Sequence, residues 1–287
     1  MVITGDGSQT INSANVTTIS AAAINAVQAP NLVIGSNIFS RLDSTDRTLS
    51  ITGFARSLTL QPDVHLIADS VFLGAKTTVT LAEGATVNTL GRGFSWLDAT
   101  SGLQLGGVNG GVILGVSNGT SQIGMSPDYF THGSVVMKQG SGLYAENTVA
   151  FAAADGLAMQ GDVGLAARRL SLTAASLNIG TNETLAAASG VLPPGMNLTQ
   201  VFLDKLLAGG SAAGSPAVQQ LTLGAANSIN FFGSVTLNTI DPATGKSRVD
   251  ALSLSSPTIS GYGNSADTAR IVTDTLIWQG SSARPGA

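Results

Sequence analysis

The feature that constrains this chain most is a run of short apolar segments whose residues alternate with small or polar ones. Between Val218 and Gly280 the segments are VQQLTLGA, SINFFGSVTLN, VDALSLSSPTISG and ARIVTDTLIWQG. Alternation with a period of two is the pattern of a β-strand that buries one face. Each segment ends at Gly, Asn, Ser or Pro, the residues that turns favour. The pattern predicts a succession of short strands joined by turns.

The same pattern extends over the rest of the chain. Residues 57–91 repeat it most regularly, and residues 1–60 indicate brief strands separated by polar corners. No segment of helical periodicity separates the strands of the 218–280 region, which argues against a doubly wound α/β sheet. Closely spaced strands of this kind indicate a chain that winds around itself coil after coil. We predict an all-β fold of the parallel β-helix type, with residues 1–287 forming a single domain.

Composition supports this interpretation and excludes several functions. Only 10% of the residues are charged while 43% are hydrophobic, so disorder is not expected. Surface polarity must come from Ser, Thr, Asn and Gln, which a β-helix can stack into hydrogen-bonded ladders. The net charge of −4 gives no footprint for nucleic acid, and the absence of Cys excludes disulfides, Cys-ligated zinc and a Cys nucleophile. No apolar run reaches the length of a transmembrane helix, and the first ten residues lack the features of a signal peptide.

One region departs from the strand pattern. Residues 184–216 contain Pro193 and Pro194, then an apolar segment of near-helical spacing, then Gly209 and Gly210. Asn197 suits the N-cap position and the glycines suit a helix end. The sequence predicts one short helix over Leu198–Ala208, within an insertion at 184–216.

The most plausible contact site is the loop SPDYFTHG at 126–133, because it combines aromatic and polar side chains. Asp128, Tyr129, Phe130 and His132 are the candidate contact residues. No catalytic residue, metal site or cofactor is predicted.

Two motifs favour structural roles over catalysis. Residues 115–119 (GVSNG) match the G-x-S-x-G pattern, but the nucleophile elbow needs a helix after the serine and the residues that follow are not helical in character. Asp63, His65 and Asp69 share strand parity and are expected to face solvent. A site that combines a serine, a histidine and an aspartate has no supporting spacing.

Glycan cleavage is the alternative that stays open. Some parallel β-helices are polysaccharide lyases or hydrolases, which use acidic and basic side chains projecting from adjacent coils. Here the 17 acidic residues are spread along the chain, although coiling can bring distant residues together. An enzyme needs several carboxylates or bases converging in a groove, whereas a structural shaft needs ladders of Asn, Thr and Ser. A cytosolic binding module is a third class.

The segments LPPGMNLTQVFLDKLLAGGSAAGSPAVQQLTLGAANSINFFGSVTLN and LSLSSPTISGYGNSADTARIVTDTLIWQG resemble large secreted exoproteins of the filamentous haemagglutinin type. The segment at 57–91 is similar in style. Members of that family are exported by two-partner secretion in Gram-negative bacteria. Their passenger is a long right-handed parallel β-helix, and they commonly act as adhesins or in contact-dependent competition.

The resemblance implies a right-handed β-helix that serves as an internal shaft segment of a secreted or bacterial cell-surface adhesin. The implied partners are host or bacterial cell-surface glycans or proteins, together with an outer-membrane transporter during export. The Asn-Pro-Asn signatures of the family's secretion domain are not evident, and no enzymatic carboxy-terminal module is expected. Because the shaft has no catalytic residues, none carries over and the chain is not expected to be an enzyme.

Overall fold

The computed structural model describes residues 1–6, 15–42, 47–93, 103–105, 111–119, 123–125, 132–207 and 216–280. Strands account for 51% of the residues and helices for few, so the predicted all-β class is confirmed.

The strands run from one end of the described chain to the other. Those before residue 130 are β1 (Val2–Thr4), β2 (Thr18–Ser20), β3 (Asn31–Ile34), β4 (Ser36–Leu42), β5 (Arg47–Gly53), β6 (Ser57–Leu60), β7 (His65–Ile67), β8 (Ser70–Ala75), β9 (Thr78–Leu81), β10 (Thr86–Asn88), β11 (Leu103–Leu105), β12 (Val112–Ser117) and β13 (Ile123–Met125). Those after it are β14 (Ser134–Met137), β15 (Gly142–Tyr144), β16 (Thr148–Ala153), β17 (Gly156–Met159), β18 (Gly164–Ala166), β19 (Arg169–Gly180), β20 (Met196–Thr199), β21 (Gln220–Phe232), β22 (Val235–Asn238), β23 (Ala251–Ser255), β24 (Ile259–Tyr262), β25 (Ala269–Val272) and β26 (Leu276–Gln279).

Three sheets share most of these strands, and the chain visits them in a fixed order. One sheet has the order β17-β14-β9-β6-β1-β2, a second has β18-β15-β10-β7, and a third has β26-β23-β21-β19-β16-β12-β8-β3. Successive strands such as β6, β7 and β8 enter the first, second and third sheet in turn, as do β14, β15 and β16, then β17, β18 and β19. Most strands of these three sheets therefore pair with a strand that the chain contributes on its previous or next visit to the same sheet, and most of these pairings are parallel.

The third sheet carries two rows of apolar side chains across its whole width. In register, the first row is Leu32, Val71, Val116, Val149, Leu170, Leu221, Leu252 and Leu276, and the second is Ile34, Leu73, Leu114, Phe151, Leu172, Leu223, Leu254 and Trp278. The members between the two end strands are at most 2% exposed. Apart from Leu276 and Trp278, these residues belong to or pack against one continuous hydrophobic core. Burial of one strand face therefore drives the stacking.

Strand β12 interrupts the parallel order. It lies between β8 and β16 and is antiparallel to both, with Leu114 facing Leu73 on one side and Phe151 on the other. The glycine-containing stretch Val112–Ser117 is therefore a strand in the middle of a sheet. Strands β4 and β5 form a second antiparallel element.

The region from 218 onward contains one strand that is longer than the sequence breaks suggested, and its other strands have four or five residues. VQQLTLGA and the start of SINFF, predicted as separate strands, join in the 13-residue β21. It pairs in parallel with β19 along almost its whole length, with a register shift between Ala174 and Ser176.

The described residues contain three helices instead of the single one predicted: α1 (Ala21–Ala26), α2 (Asn182–Ala187) and α3 (Gln200–Leu207). Helix α3 confirms the predicted helix but begins later. Residues Met196–Thr199 form β20, which pairs with β19, so Asn197 lies in a strand and is not the N-cap. The hydroxyl of Thr199 accepts the N–H of Phe202 at 3.2 Å and takes the capping role.

Candidate functional site

The predicted contact loop is described only at its end. Asp128, Tyr129 and Phe130 lie outside the described residues. His132 is exposed, and its Nδ1 lies 3.8 Å from Oδ1 of Asp155. The other carboxylate oxygen of Asp155 accepts the N–H of Gly133 at 2.7 Å. Asp155 therefore anchors the point at which this loop joins β14, and His132 projects into solvent beside it.

The polar group at 63–69 does not converge on a common point. Nδ1 of His65 lies 2.8 Å from the hydroxyl of Thr86. Asp63 occupies a turn with φ +56°, and Asp69 lies 3.7 Å from Nε of Arg92. Asp63 and His65 face solvent, as expected, whereas Asp69 is half-buried.

The serine of the G-x-S-x-G match lies inside the third sheet. Ser117 is the last residue of β12 and is buried. Its Oγ lies 2.6 Å from Oγ of Ser70 and accepts the N–H of Gly119 at 3.0 Å. Residues 118 and 119 are not helical. The hydroxyl thus fastens β12 to β8, and the strand-turn-helix arrangement that a nucleophile elbow requires does not begin here.

The most organised polar feature is a row of asparagines, which we call the asparagine ladder: Asn197, Asn178 and Asn230 on β20, β19 and β21. Nδ2 of Asn178 donates to Oδ1 of Asn197 at 2.9 Å and to the carbonyl of Pro193 at 2.8 Å. Nδ2 of Asn230 donates to Oδ1 of Asn178 at 2.9 Å. Asn178 and Asn230 are buried, and the ladder gives the Nδ2 group of each a partner within the fold.

The ladder ends at a buried acceptor. Oδ1 of Asn230 has no hydrogen-bond partner. The next strand places Ser260 opposite Asn230, and serine is too short to continue the amide-to-amide chain. Beside the ladder, Ser228 donates to the hydroxyl of Ser176 at 3.4 Å. Gly195 permits β20 to approach, because a Cβ there would lie 2.0 Å from the carbonyl of Ser176 and its φ is +155°.

Another asparagine, Asn118, joins three separate segments of the chain. Oδ1 of Asn118 accepts the hydroxyl of Thr89 at 2.7 Å and the N–H of Glu146 at 2.9 Å. Its Nδ2 donates to the carbonyls of Thr89 and Arg92, and its own carbonyl accepts from Asn147. Asn118 is 1% exposed. This network ties the end of β12 to the strands before and after it.

Two helices present an amide side chain to the edge of a strand. Asn25 of α1 donates to the carbonyl of His65 at 2.8 Å and accepts the N–H of Ile67 at 3.1 Å, on β7. Gln200 of α3 donates to the carbonyl of Thr236 at 2.6 Å and accepts its N–H at 3.0 Å, on β22. Each amide supplies the donor and the acceptor that a neighbouring strand would otherwise supply.

The charged side chains of the described residues form isolated contacts. Lys205 pairs with Asp162 at 2.5 Å and Arg248 with Asp241 at 3.3 Å. Hydrogen bonds from the backbone of Asn264 and the hydroxyl of Ser234 lower the pKa of the Asp267 carboxyl. Within the described part of the chain, no group of three or more His, Asp or Glu residues is arranged to hold a metal ion.

Two clefts lie beside these elements. A cleft of about 440 Å³ separates α3 from the strands β17 and β18 and is lined mainly by apolar side chains, including Met159 and Phe202. A larger one, of about 920 Å³, lies at the β3 end of the third sheet, where Leu32 and Ile34 line it together with Val27. Toward the opposite end of the third sheet, the rings of Phe232 and Tyr262 stack with their centroids 4.8 Å apart.

Comparison with known proteins adds no further guide to the site. No protein family, curated protein or solved structure matches this chain. No helix in the described ranges has the length and apolarity needed to cross a membrane.

Proposed function

We propose that this chain is a structural shaft segment of a secreted or bacterial cell-surface adhesin, similar to the filamentous haemagglutinin-type exoproteins. In this proposal the three sheets close into a right-handed parallel β-helix, residues 1–287 form one domain, and residues 184–216 are an insertion in it. The shaft holds loops away from a surface so that they contact another cell.

The asparagine ladder is the observation that carries the proposal. A shaft must satisfy backbone and side-chain polar groups between successive coils, and Asn197, Asn178 and Asn230 do this on three adjacent strands. In a glycan-cleaving enzyme, by contrast, carboxylates with separated pKa values face a groove. Here Asp69, Asp162 and Asp241 each pair with a different cation. Hydrogen bonds to Glu183 and Asp267 lower the pKa of each carboxyl.

The loops between the strands supply the contact surface in this proposal. Residues 118–133 connect the antiparallel strand β12 to β14, and His132 at their end is exposed. The candidate contact residues Asp128, Tyr129, Phe130 and His132 all belong to this connection. Aromatic and polar side chains in a connection between strands suit binding to cell-surface glycans or proteins. An outer-membrane transporter is the partner proposed for export.

The test combines shape, attachment and chemistry. The purified chain, coupled to beads, is incubated with mammalian and bacterial cells beside a variant in which residues 128–130 are replaced by Gly-Ser-Gly. We expect attachment by the parent chain, loss of attachment by the variant with an unchanged melting temperature, and an elongated particle in small-angle X-ray scattering. A compact particle, or equal attachment by both chains, would contradict the proposal.

A parallel screen addresses the enzyme alternative. The chain is incubated with a panel of acidic and neutral polysaccharides, and unsaturated and reducing sugars are measured. We expect no release above that of heat-denatured protein. Sustained release from one polysaccharide would replace the shaft proposal with a glycan-degrading enzyme on the same scaffold.

A further inference from the structure

The two ends of the third sheet are complementary in their side chains. The apolar rows are buried throughout their middle, but they end on β26 with Leu276 and Trp278, which are 43% and 59% exposed. At the other end they finish on β3 with Leu32 and Ile34, which line the 920 Å³ cleft. The β26 end of the third sheet therefore has exposed apolar side chains. The β3 end has a cleft lined by the apolar side chains that finish the same two rows.

The backbone of β26 is also unpaired on its outer edge. The N–H of Leu252 donates to the carbonyl of Thr275, and that of Ser256 donates to the carbonyl of Gln279. In a parallel ladder the N–H and C=O of one residue point to the same side and those of the next residue point to the other. The odd-numbered residues of β26 thus face β23, and the N–H and C=O groups of Leu276 and Trp278 face outward.

Strand β3 has the opposite parity. The carbonyl of Pro30 accepts the N–H groups of Asp69 and Ser70 on β8, so the even-numbered residues of β3 face β8. The backbone groups of Val33 therefore point outward. No other described strand pairs with the outer edge of β3 or of β26.

These features fit a second copy of the chain. If Leu276 of one copy lies opposite Leu32 of the next, Trp278 lies opposite Ile34 and both apolar rows continue across the junction. In the same register, the outward N–H and C=O groups of Val33 lie between the outward backbone groups of Leu276 and those of Trp278. A parallel ladder requires this arrangement. Strands β3 and β26 both run parallel to β8 and β19. A second copy that is translated along the direction in which the strands stack can therefore place its β3 beside β26 of the first copy without being turned around.

We propose that the chain associates head to tail, with β26 of one copy adding to β3 of another as a parallel strand. Such a contact joins two different surfaces and does not close by a twofold axis, so it generates linear chains of copies. An exposed, apolar edge strand is a recognised template for this kind of pairing. The inference rests on the third sheet and its register in the described residues, and it does not use the proposed function.

The register is testable by cross-linking because the chain contains no Cys. Facing residues on neighbouring strands lie about 4.8 Å apart, within the range of about 4.4–6.8 Å that a disulfide spans. Single variants Leu32→Cys and Leu276→Cys are oxidised separately and as a mixture. We expect a covalent dimer in the mixture and little in either variant alone. The control is Val191→Cys, which replaces a side chain 78% exposed on the loop after α2, mixed with Leu276→Cys.

The outcomes separate the possible contacts. A dimer from Leu276→Cys alone would indicate a twofold contact between two β26 strands and overturn the proposal. Equal cross-linking of the Val191→Cys control would indicate random collision and also overturn it. An absence of any dimer in the mixture, with both variants folded by circular dichroism, would do the same.

Sedimentation velocity supplies an independent arm. Val27 lines the cleft and is 72% exposed, so Val27→Asp places a charge at one end and Trp278→Asp places one at the other. We expect each variant alone to associate at least about tenfold more weakly than the parent chain. Mixed together they form dimers and nothing longer, because each keeps one intact end. Association by Val27→Asp alone, equal to that of the parent, would contradict the head-to-tail arrangement.

Discussion

Asn178 is the centre of the asparagine ladder, and its replacement tests whether the ladder stabilises the fold. Asn178→Ala removes hydrogen bonds to Pro193, Asn197 and Asn230, at 2.8, 2.9 and 2.9 Å. Each bond contributes about 1 kcal/mol net, and leaving the buried amide of Asn230 without a partner costs about a further 1–3 kcal/mol. We therefore expect the free energy of unfolding to fall by about 4 kcal/mol.

Two variants control for loss of packing. Asn197 is exposed, and without it the Nδ2 of Asn178 keeps the carbonyl of Pro193. Asn197→Ala should therefore cost less than about 1 kcal/mol. The double variant Asn178→Leu with Asn230→Leu replaces both amides by apolar groups of similar size, so it should be more stable than Asn178→Ala alone.

The assay is urea-induced unfolding followed by far-ultraviolet circular dichroism, with the midpoint and slope compared across the variants. A loss below about 1 kcal/mol for Asn178→Ala would refute the reasoning, because removing several hydrogen bonds between buried amide side chains should destabilise the fold by more than that. Equal losses for Asn178→Ala and Asn197→Ala would refute it as well, since Asn178 is buried and makes three of these bonds whereas Asn197 is exposed.

Three further predictions follow from single contacts. Ser260→Asn extends the ladder by supplying a donor to the free Oδ1 of Asn230, and it should raise the free energy of unfolding by about 1 kcal/mol relative to Ser260→Ala. Gln200→Ala removes both bonds to Thr236, so the amide hydrogen of Thr236 should exchange at least several-fold faster, measured by NMR. Asp267→Asn should lower the melting temperature at neutral pH, and this difference should shrink as the pH falls through the lowered pKa of Asp267, because a carboxylate with a depressed folded pKa stabilises the fold only while it is ionised.

Each of these has an outcome that would contradict it. A urea midpoint for Ser260→Asn equal to that for Ser260→Ala would show that the Oδ1 of Asn230 gains nothing from a hydrogen-bond donor. If the amide hydrogen of Thr236 exchanged at the same rate in the parent chain and in Gln200→Ala, helix α3 would shield the edge of β22 without the side-chain amide of Gln200. A difference between Asp267→Asn and the parent that grows in acid would reverse the sign of the pKa argument.

The sequence predicted the strands because their signal is local. Alternating residues such as Leu252 and Leu254 in β23 bury one face, and this period is visible without any knowledge of partners. The direction of a strand is not encoded in that period, so nothing in GVILGVS indicated that β12 runs antiparallel between β8 and β16. The join of two predicted segments in β21 depends likewise on β19 beside it, whose pairing holds both halves extended.

The missed helices are short but carried capping signals. Ser20 accepts the N–H of Ala23 at the start of α1, and Thr181 forms a capping box with Thr184 at the start of α2. Six residues are fewer than two turns, so no apolar period could emerge there. At α3 the period was visible, but the choice of N-cap was wrong because Asn197 pairs with Asn178 across β19 and β20.

The amide contacts of the two helices show how some strand edges of this chain are covered. A stack of parallel strands leaves backbone groups unpaired wherever a strand is missing, and an exposed edge invites pairing with other chains. Gln200 covers such a gap at β22, and Asn25 covers the edge of β7. Among the described residues no amide or helix covers β26, while its apolar side chains continue the buried rows. Edge protection among the described strands is therefore uneven, and β26 is an open edge whose register matches β3 of another copy.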